Sequence, residues 1–376
     1  MLKPQWCLDR AKRMRHLIVP SVDTQHWLDE LKTRGWLEAG FGILTQEDGM
    51  KAIPLADLAP ISTDQFWQDL EHTEIAREKD SVKNWTDLLD EKLYQKFKDY
   101  WPRAYEIIGD ILIVKIEPEV YDHREEIGKA ILNRIPNIRL VCADNGVLGE
   151  FRVRDLLPVS SRDGSTNTLT KIRENGNNIL IDPTKAYFSS RLSNERRGNL
   201  DSAIDLSHQL NRKITICDPY AGVGPSLATL LCEDGLVDTI IAGDLNPQAV
   251  DLLEQNIDQF RRKKPDEISL NVKCQDARLW AKESEYQHTV DFLLVNLPHQ
   301  TVEHMEDLLP LMKRETLSLI RGWAIIDRDD LSGVNNKLSN LLLQHGATNL
   351  KLICQEIKGF SATKIFIRIE SSQTFI

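Results

Sequence analysis

The sequence predicts an α/β protein: a mostly parallel, doubly wound sheet in the C-terminal half, preceded by two smaller α/β units. Three observations carry this. From Ile214 onward, short apolar runs alternate with amphipathic helical segments, the pattern of βαβ units. The first of these runs ends in a glycine-rich turn, Asp218-Pro-Tyr-Ala-Gly-Val-Gly-Pro, that opens a helix. A length of 376 residues, at roughly 150 per domain, allows two or three domains.

In chain order, Leu17–Val19 reads as a strand and Gln25–Arg34 as a helix stopped by Gly35. Phe41–Leu44 and Lys51–Pro54 read as a hairpin across the turn signal Gln46–Gly49. Glu71–Asp80 is charge-dense with few apolar residues. Residues 1–70 are therefore expected as a small N-terminal domain and 71–85 as a linker. A middle α/β domain is expected over 86–173. It opens with a helical pattern that covers Ser81–Lys98, followed by a strand pair or bulged strand over Ile107–Ile116 around Gly109. Arg124–Ile135 reads as helix, Ile138–Ala143 as strand, and Ser160–Thr168 as loop. A weak alternation over Gly149–Asp155 breaks at Pro158. Asn175–Gly176 signals a hairpin within Lys171–Ile181. Residues 174–376 are expected as the C-terminal domain. Its strands are Ile214–Asp218, Asp238–Asp244, Ser269–Cys274, Val290–Asn296, Gly322–Asp327, Thr348–Ile357 and Thr363–Ile369. Its clearest helices are Pro225–Leu231 and Pro247–Phe260, the latter with Val250, Leu253 and Ile257 on one face.

Hydrophobic residues are 41% and charged residues 28%, a globular balance. No apolar run approaches the roughly 18 residues of a membrane span. The start, Met1–Pro20, has basic residues but no apolar core of a secretory signal. Cys7, Cys142, Cys217, Cys232, Cys274 and Cys354 are scattered without paired spacing, which reads as free thiols in a reducing cytoplasm. No heptad or apolar stripe suggests an interface, so a monomer without an obligatory protein partner is expected. The net charge of −10 argues, taken alone, against nucleic acid and anionic membrane as partners.

In doubly wound sheets ligands sit at the carboxyl ends of strands, near a topological switch point. Three features have that placement. Gly222 and Gly224 let a ligand approach the backbone at a helix N-terminus, although a tight strand–helix turn without ligand reads as well from a lone GxG. Leu227 occupies the third glycine position of the dinucleotide fingerprint, so a pyrophosphate cradle is disfavoured. Asp244 ends the next strand and is placed for ribose hydroxyls, or else to cap the helix near Pro247, a task that suits Asn246 better. Asp276, after the third strand, is placed for an adenine amine or is an exposed loop acid. Together they describe an adenosine ligand without pyrophosphate, S-adenosylmethionine rather than NAD. Asn296-Leu297-Pro298 ends the fourth strand. An Asn there can position the amide-like edge of a nucleobase, and the proline stiffens the turn. His299 and His304 lack the HExxH spacing, so no metal site is expected. Residues 150–213 hold 11 Lys/Arg and 8 Asp/Glu, a local net of +3, as an RNA footprint or a solvated helix face would.

GEFRVR (149–154), ENG (174–176), KAYFSSRLSNER (185–196), DPYAGVGP (218–225), DLNP (244–247) and NLP (296–298) occur in that order. With them the chain resembles the archaeal and eukaryotic tRNA (guanine-N1)-methyltransferases, which act on guanosine 37, just 3′ of the anticodon. The resemblance runs from about Tyr105 to Phe366. It implies a class-I, Rossmann-like, S-adenosylmethionine-dependent catalytic domain and a small N-terminal domain that docks on the outer corner of tRNA. By motif match, Glu195 resembles the general base and Arg152 the contact to the target guanosine. Asn296 and Pro298 resemble the guanine clamp, and Tyr187 the methionine-side pocket. Asp218, Tyr220, Gly222, Gly224, Pro225, Asp244, Leu245, Asp276, Ala277 and Asn296 are expected around the cofactor. Arg154, Lys185, Arg191, Arg196 and Arg197 are expected on the tRNA. The chemistry asks for such groups: N1 of guanine carries a proton that a carboxylate must take as the methyl arrives, and an Arg near O6 offsets the charge that builds. The chain departs from the family at Ser190 (usually Pro), at Arg196-Arg197-Gly198 after the glutamate, and at Ser226 (usually Phe). A wybutosine-pathway aminocarboxypropyl transferase uses the same cofactor but lacks the YFS-RL-x-x-E-R and NLP motifs. The remaining alternatives are a non-catalytic tRNA-binding relative and an exocyclic-amine methyltransferase, in which an aromatic residue would stand where His299 does.

Overall fold

The computed structural model describes residues 12–38, 41–46, 48–67, 70–77, 84–262 and 267–376. Cys7, the chain start and residues 78–83 of the expected linker lie outside them. The chain forms two compact units, residues 1–99 with 129–135, and residues 100–128 with 136–376.

In the first unit, β1 (Lys12–Val19) leads to α1 (Thr24–Arg34), and then come β2 (Leu44–Thr45), β3 (Lys51–Pro54) and β4 (His72–Arg77). The sheet order is β2-β3-β1-β4, antiparallel throughout. Gly35 stops α1 with φ 70°, its N–H capping the last carbonyls. Leu17, Val19, Trp27, Leu31, Ile53 and Trp67 form the core. Two expectations change. His72–Arg77 is not linker but an edge strand paired along β1. An edge strand needs little apolar surface, so its charge-rich pattern hid it. The helical pattern over Ser81–Lys98 yields only a 3-10 turn at Trp85–Leu88 and α2 (Glu91–Lys96). Asp90 restarts the helix by accepting the Lys92 and Leu93 amides.

The second unit opens with β5 (Tyr105–Ile108) and β6 (Ile111–Val114), a hairpin through Gly109 at φ 60°. A Cβ on Gly109 would stand 2.2 Å from Thr170 Oγ1, so only glycine fits. α3 (Arg124–Arg134), whose residues from 129 on belong to the first unit, leads to β7 (Leu140–Leu148), which lies parallel to β6, and β8 (Val153–Ser161) returns antiparallel. β8 runs through Pro158, where the sequence suggests a break. It is an edge strand with a register shift at that point, so the missing N–H costs no ladder bond. β9 (Thr170–Glu174) and β10 (Asn177–Ile181) form the expected hairpin, with positive φ at both Asn175 and Gly176.

α4 (Ser193–Leu210) then leads into β11 (Ile214–Asp218), α5 (Leu227–Leu230), β12 (Val237–Asp244), α6 (Pro247–Arg261) and β13 (Ser269–Cys274). β14 (Phe292–Val295), α7 (Thr301–Leu308), β15 (Leu317–Asp327), α8 (Leu331–Gln344), β16 (Ala347–Gly359) and β17 (Lys364–Phe375) complete it. The sheet order is β13-β12-β11-β14-β15-β17-β16, and β17 alone runs against the rest. Successive residues point to opposite faces. Ile216, Ile240 and Phe292 pack under α4, α5 and α6. Cys217, Ile241 and Leu293 pack under α7 and α8. The fold is thus the doubly wound, Rossmann-like architecture the alternation predicts. Strand order reverses between β11 and β14, where a ligand crevice is expected.

Candidate active site

The expected crevice lies where β11 ends. Asp218 is buried, and its Oδ1 has no hydrogen-bond partner among the described residues. Burial, and next the Asp244 charge, push its carboxyl up to about 7. The turn that follows needs left-handed backbone at Gly222 (φ 56°) and Gly224 (φ 81°). The Gly222 N–H donates to Asp244 Oδ2 and the Asn246 N–H to Asp244 Oδ1, each at 2.9 Å. Asp244 is thus a bracket between two turns. The helix cap belongs to Asn246, whose Oδ1 accepts the Gln248 N–H. The Asn246 amide also donates to the Lys185 carbonyl at 2.7 Å, stitching residues 185–187 beside the glycine turn. A Cβ on Gly222 would lie 3.9 Å from the Tyr187 carbonyl. Tyr187 and Leu245 present exposed side chains, and Pro225 is half-buried.

On the β13 side, Asp276 caps the 3-10 turn Ala277–Lys282 and pairs with Arg278 at 2.6 Å, which holds its carboxyl below the usual range. Asp276 is therefore not a free loop acid, and its hydrogen-bonding capacity is largely spent locally. Ala277 is buried. Tyr220 places its hydroxyl 2.8 Å from His304 Nδ1. Among the described residues no group of three or more His, Cys, Asp or Glu could hold a metal ion.

On the other side of the switch point, Glu195 sits in the first turn of α4. Its Oε2 accepts the Trp323 indole N–H at 3.1 Å and lies 3.6 Å from Arg321 and 3.5 Å from Arg368. Trp323 in turn reaches Asn296-Leu297-Pro298: the Thr301 hydroxyl donates to the Trp323 carbonyl (2.7 Å), with the Leu297 carbonyl 2.9 Å away. The Ile325 N–H donates to the Pro298 carbonyl at 2.7 Å, so β15 clamps the whole turn. Arg152 lies in the β7–β8 turn, exposed, at φ 53°. Its charge reaches His299, the residue after Pro298: the imidazole is depressed by burial first and by Arg152 next. Glu195 is thus tied through Trp323 and Thr301 to the turn that holds Asn296 and Pro298, and Arg152 is near enough for its charge to bear on His299.

The cations expected on tRNA divide. Lys185, Arg191 and Arg197 are exposed. Arg196 is not: it is buried, and its Nε and Nη2 each donate at 2.5 Å to Glu174. Arg154 is paired to Asp144 at 2.7 Å and to Glu106. Both are corrections to the sequence reading. Helix phase turns Arg196 inward while its neighbour Arg197 faces out. At two of the family departures, Ser226 is buried and receives the Asn199 amide at 3.4 Å, and Gly198 lies against the Arg321 guanidinium. Sequence reasoning missed Trp323, Arg321 and Arg368, and weighed His304 only as a metal ligand, not as the partner of Tyr220. One signal was present: Arg321-Gly322 interrupts the apolar run Leu317–Ile326.

Residues 170–321 match the family described as the TRM5/TYW2 methyltransferase domain, and residues 85–157 the TYW2 N-terminal domain. A tRNA (guanine(37)-N(1))-methyltransferase Trm5b of Pyrococcus abyssi is 30% identical over 214 residues, 56% of this chain and 58% of that protein. The Trm5b of Methanocaldococcus jannaschii is 35% identical over 155 residues, 41% of this chain and 42% of that protein. The chain thus matches about half the length of these curated relatives. The crystal structure of Pyrococcus abyssi Trm5b superposes with TM-score 0.63 and 23% identity, over 96% of this chain and all of that one. A complex of aTrm5 with tRNALeu gives 0.58 and 20%, over 95% and 99%. P. horikoshii TYW2 in complex with MeSAdo gives 0.59 and 16%, over 77% and 96%. These structures share the fold.

Proposed function

We propose, from a chain whose residues 170–321 are a TRM5/TYW2 methyltransferase domain, that the protein transfers the methyl group of S-adenosylmethionine to N1 of guanosine 37 in tRNA. The observation that carries the reading is the Glu195 carboxylate. One oxygen is held by Trp323, no described hydrogen bond engages the other, and the carboxylate is tied through Trp323 and Thr301 to the nucleobase-edge turn. The two curated relatives bear the name of this activity.

The cofactor cradle fits an adenosylated sulfonium. The buried, unpartnered Asp218 oxygen offers an acceptor to a cationic group, the Asp244 bracket faces the ribose position, and Tyr187 stands beside the glycine turn. Bound there, S-adenosylmethionine supplies an electrophilic methyl carbon and carries its own leaving group. The protein's work is then on guanine. Glu195 accepts the N1 proton as the N1–carbon bond forms, and later releases it to water. Arg152 faces O6, where negative charge builds as that proton leaves. Asn296 and Pro298 hold the base edge in line with the methyl carbon. The base must leave its stack, which is cheap in an anticodon loop. The exposed Lys185, Arg191 and Arg197 meet the RNA backbone, and the N-terminal unit meets the outer corner of tRNA. We read the protein as cytoplasmic and monomeric; among the described residues no helix is long and apolar enough to cross a membrane.

Nucleoside mass spectrometry on tRNA transcripts incubated with the protein and S-adenosylmethionine tests the proposal. The expected product is 1-methylguanosine at position 37. An aminocarboxypropyl nucleoside, or no product with folded tRNA, sinks it. Glu195→Gln is expected to slow single-turnover methylation at least about a hundredfold, with S-adenosylmethionine affinity unchanged.

A further inference from the structure

β15 and β17 place two cross-strand pairs side by side, Arg321 opposite Glu370 and Trp323 opposite Arg368. Residues two apart share a face, so all four side chains stand together toward α4. Arg321 Nε lies 3.1 Å from Glu370, and Arg368 Nη2 donates to Gln355 at 2.8 Å. Arg321 Nη1 also donates to the Ser202 hydroxyl at 3.3 Å. One contact from each of Trp323, Arg321 and Arg368 converges on a single atom, Glu195 Oε2. Arg321 is only 2% exposed, which is rarely tolerated for a guanidinium without paired charge.

The helix yields to this cluster. Gly198 lies inside α4, where glycine is the poorest helix former after proline. A Cβ there would stand 2.8 Å from Arg321 Nη1 and 3.0 Å from Nη2. The glycine is thus explained by the arginine that crosses it. Glu370 alone could neutralise Arg321; what the crossing adds is a hold on Glu195.

We propose that Trp323, Arg368 and Arg321 are positioning residues: they pin Oε2 of Glu195 so that Oε1 is presented to the guanine N1 proton, and Gly198 makes room for that brace. The proposal rests on Glu195 being the base.

The test is single-turnover methylation at saturating tRNA and S-adenosylmethionine, with cofactor affinity and melting temperature measured on each variant. Trp323→Phe removes the donor and keeps an aromatic ring. Arg368→Gln, at a partly exposed site, guards against a folding failure at Trp323. Each is expected to slow methylation about tenfold or more, with tRNA KM and cofactor affinity unchanged. Arg368→Lys is expected to recover most of the rate. In a Glu195→Asp background, whose shortened side chain already withdraws from the indole, Trp323→Phe is expected to cost little more. Rates within twofold of the parent for Trp323→Phe and Arg368→Gln, with Glu195→Gln still slow, overturn the brace and leave the base standing. A rate loss that only tracks a fall in melting temperature or cofactor affinity also overturns it. A fast Glu195→Gln overturns the base and the brace together.

Discussion

Asp218 couples the glycine turn to pH. Its folded-state pKa near 7 is far above that of an exposed aspartate, because burial penalises the charge and Asp244 repels it. A raised pKa means the folded protein holds a proton the unfolded chain has released. Stability from this group is therefore lost as pH rises from about 4 through about 7. Urea titrations at pH 5 and 8 should show Asp218→Asn gaining stability relative to the parent at the higher pH; a constant difference refutes the assignment. A cationic ligand facing the same oxygen reverses the balance, so S-adenosylmethionine should bind more tightly as pH rises through 7. At the same scale, Arg196 and Arg197 part company. Arg196→Ala strands Glu174 as a buried charge and should cost about 3–5 kcal/mol of stability. Arg197→Ala should leave the melting temperature alone and weaken tRNA binding. Their adjacency in an RNA-footprint motif made them look alike; only helix phase and the Glu174 partner separate them.

At the scale of elements, one side chain joins three of them. Asn256 on α6 is fully buried; its amide donates to the Leu180 and Val223 carbonyls, and its Oδ1 accepts the Leu180 N–H, all at 2.8 Å. It thereby fastens β10 and the glycine turn to α6. Asn256→Leu keeps the volume but leaves these backbone groups unpaired, and should cost about 2–4 kcal/mol by urea unfolding. The glycines make a graded comparison. Gly176 and Gly224 share φ 81°, but a Cβ meets nothing at Gly176 and meets Leu253 Cδ1 at 2.6 Å at Gly224. Gly176→Ala should cost about 1 kcal/mol and Gly224→Ala distinctly more. Elements with a strong local signature were legible: Gly35 ending α1, Asn175–Gly176 turning the hairpin, the apolar face of α6. Those misread were β4, β8 at Pro158 and the region of α2. In each, an edge position or a local cap outweighed the pattern.

At the scale of the whole molecule, net charge and partner pull apart. A chain of net −10 does not announce an RNA ligand. The structure narrows the basic segment further, because Arg154 and Arg196 are consumed by internal carboxylates. Of the cations expected on the tRNA or the target guanosine, Arg152, Lys185, Arg191 and Arg197 remain exposed. With about four phosphate contacts, the logarithm of tRNA affinity should fall with the logarithm of salt at a slope of about 3. Filter binding between 50 and 300 mM salt, as a roughly chosen range, measures it; a flat response places the footprint elsewhere.

By itself the sequence determined the alternation of strand and helix, the glycine turn, the acids after successive strands and the base candidate Glu195. Each is written in local order, in periodicity or in the few residues of a motif. Tertiary structure decided which cations stay exposed and what surrounds Glu195. Glu195 meets Arg321, Trp323 and Arg368 only because β17 inserts antiparallel beside β15 and α4 drops a Cβ where the two surfaces cross. No spacing along the chain records that contact, since it arises from strand order, and strand order is a property of the folded sheet.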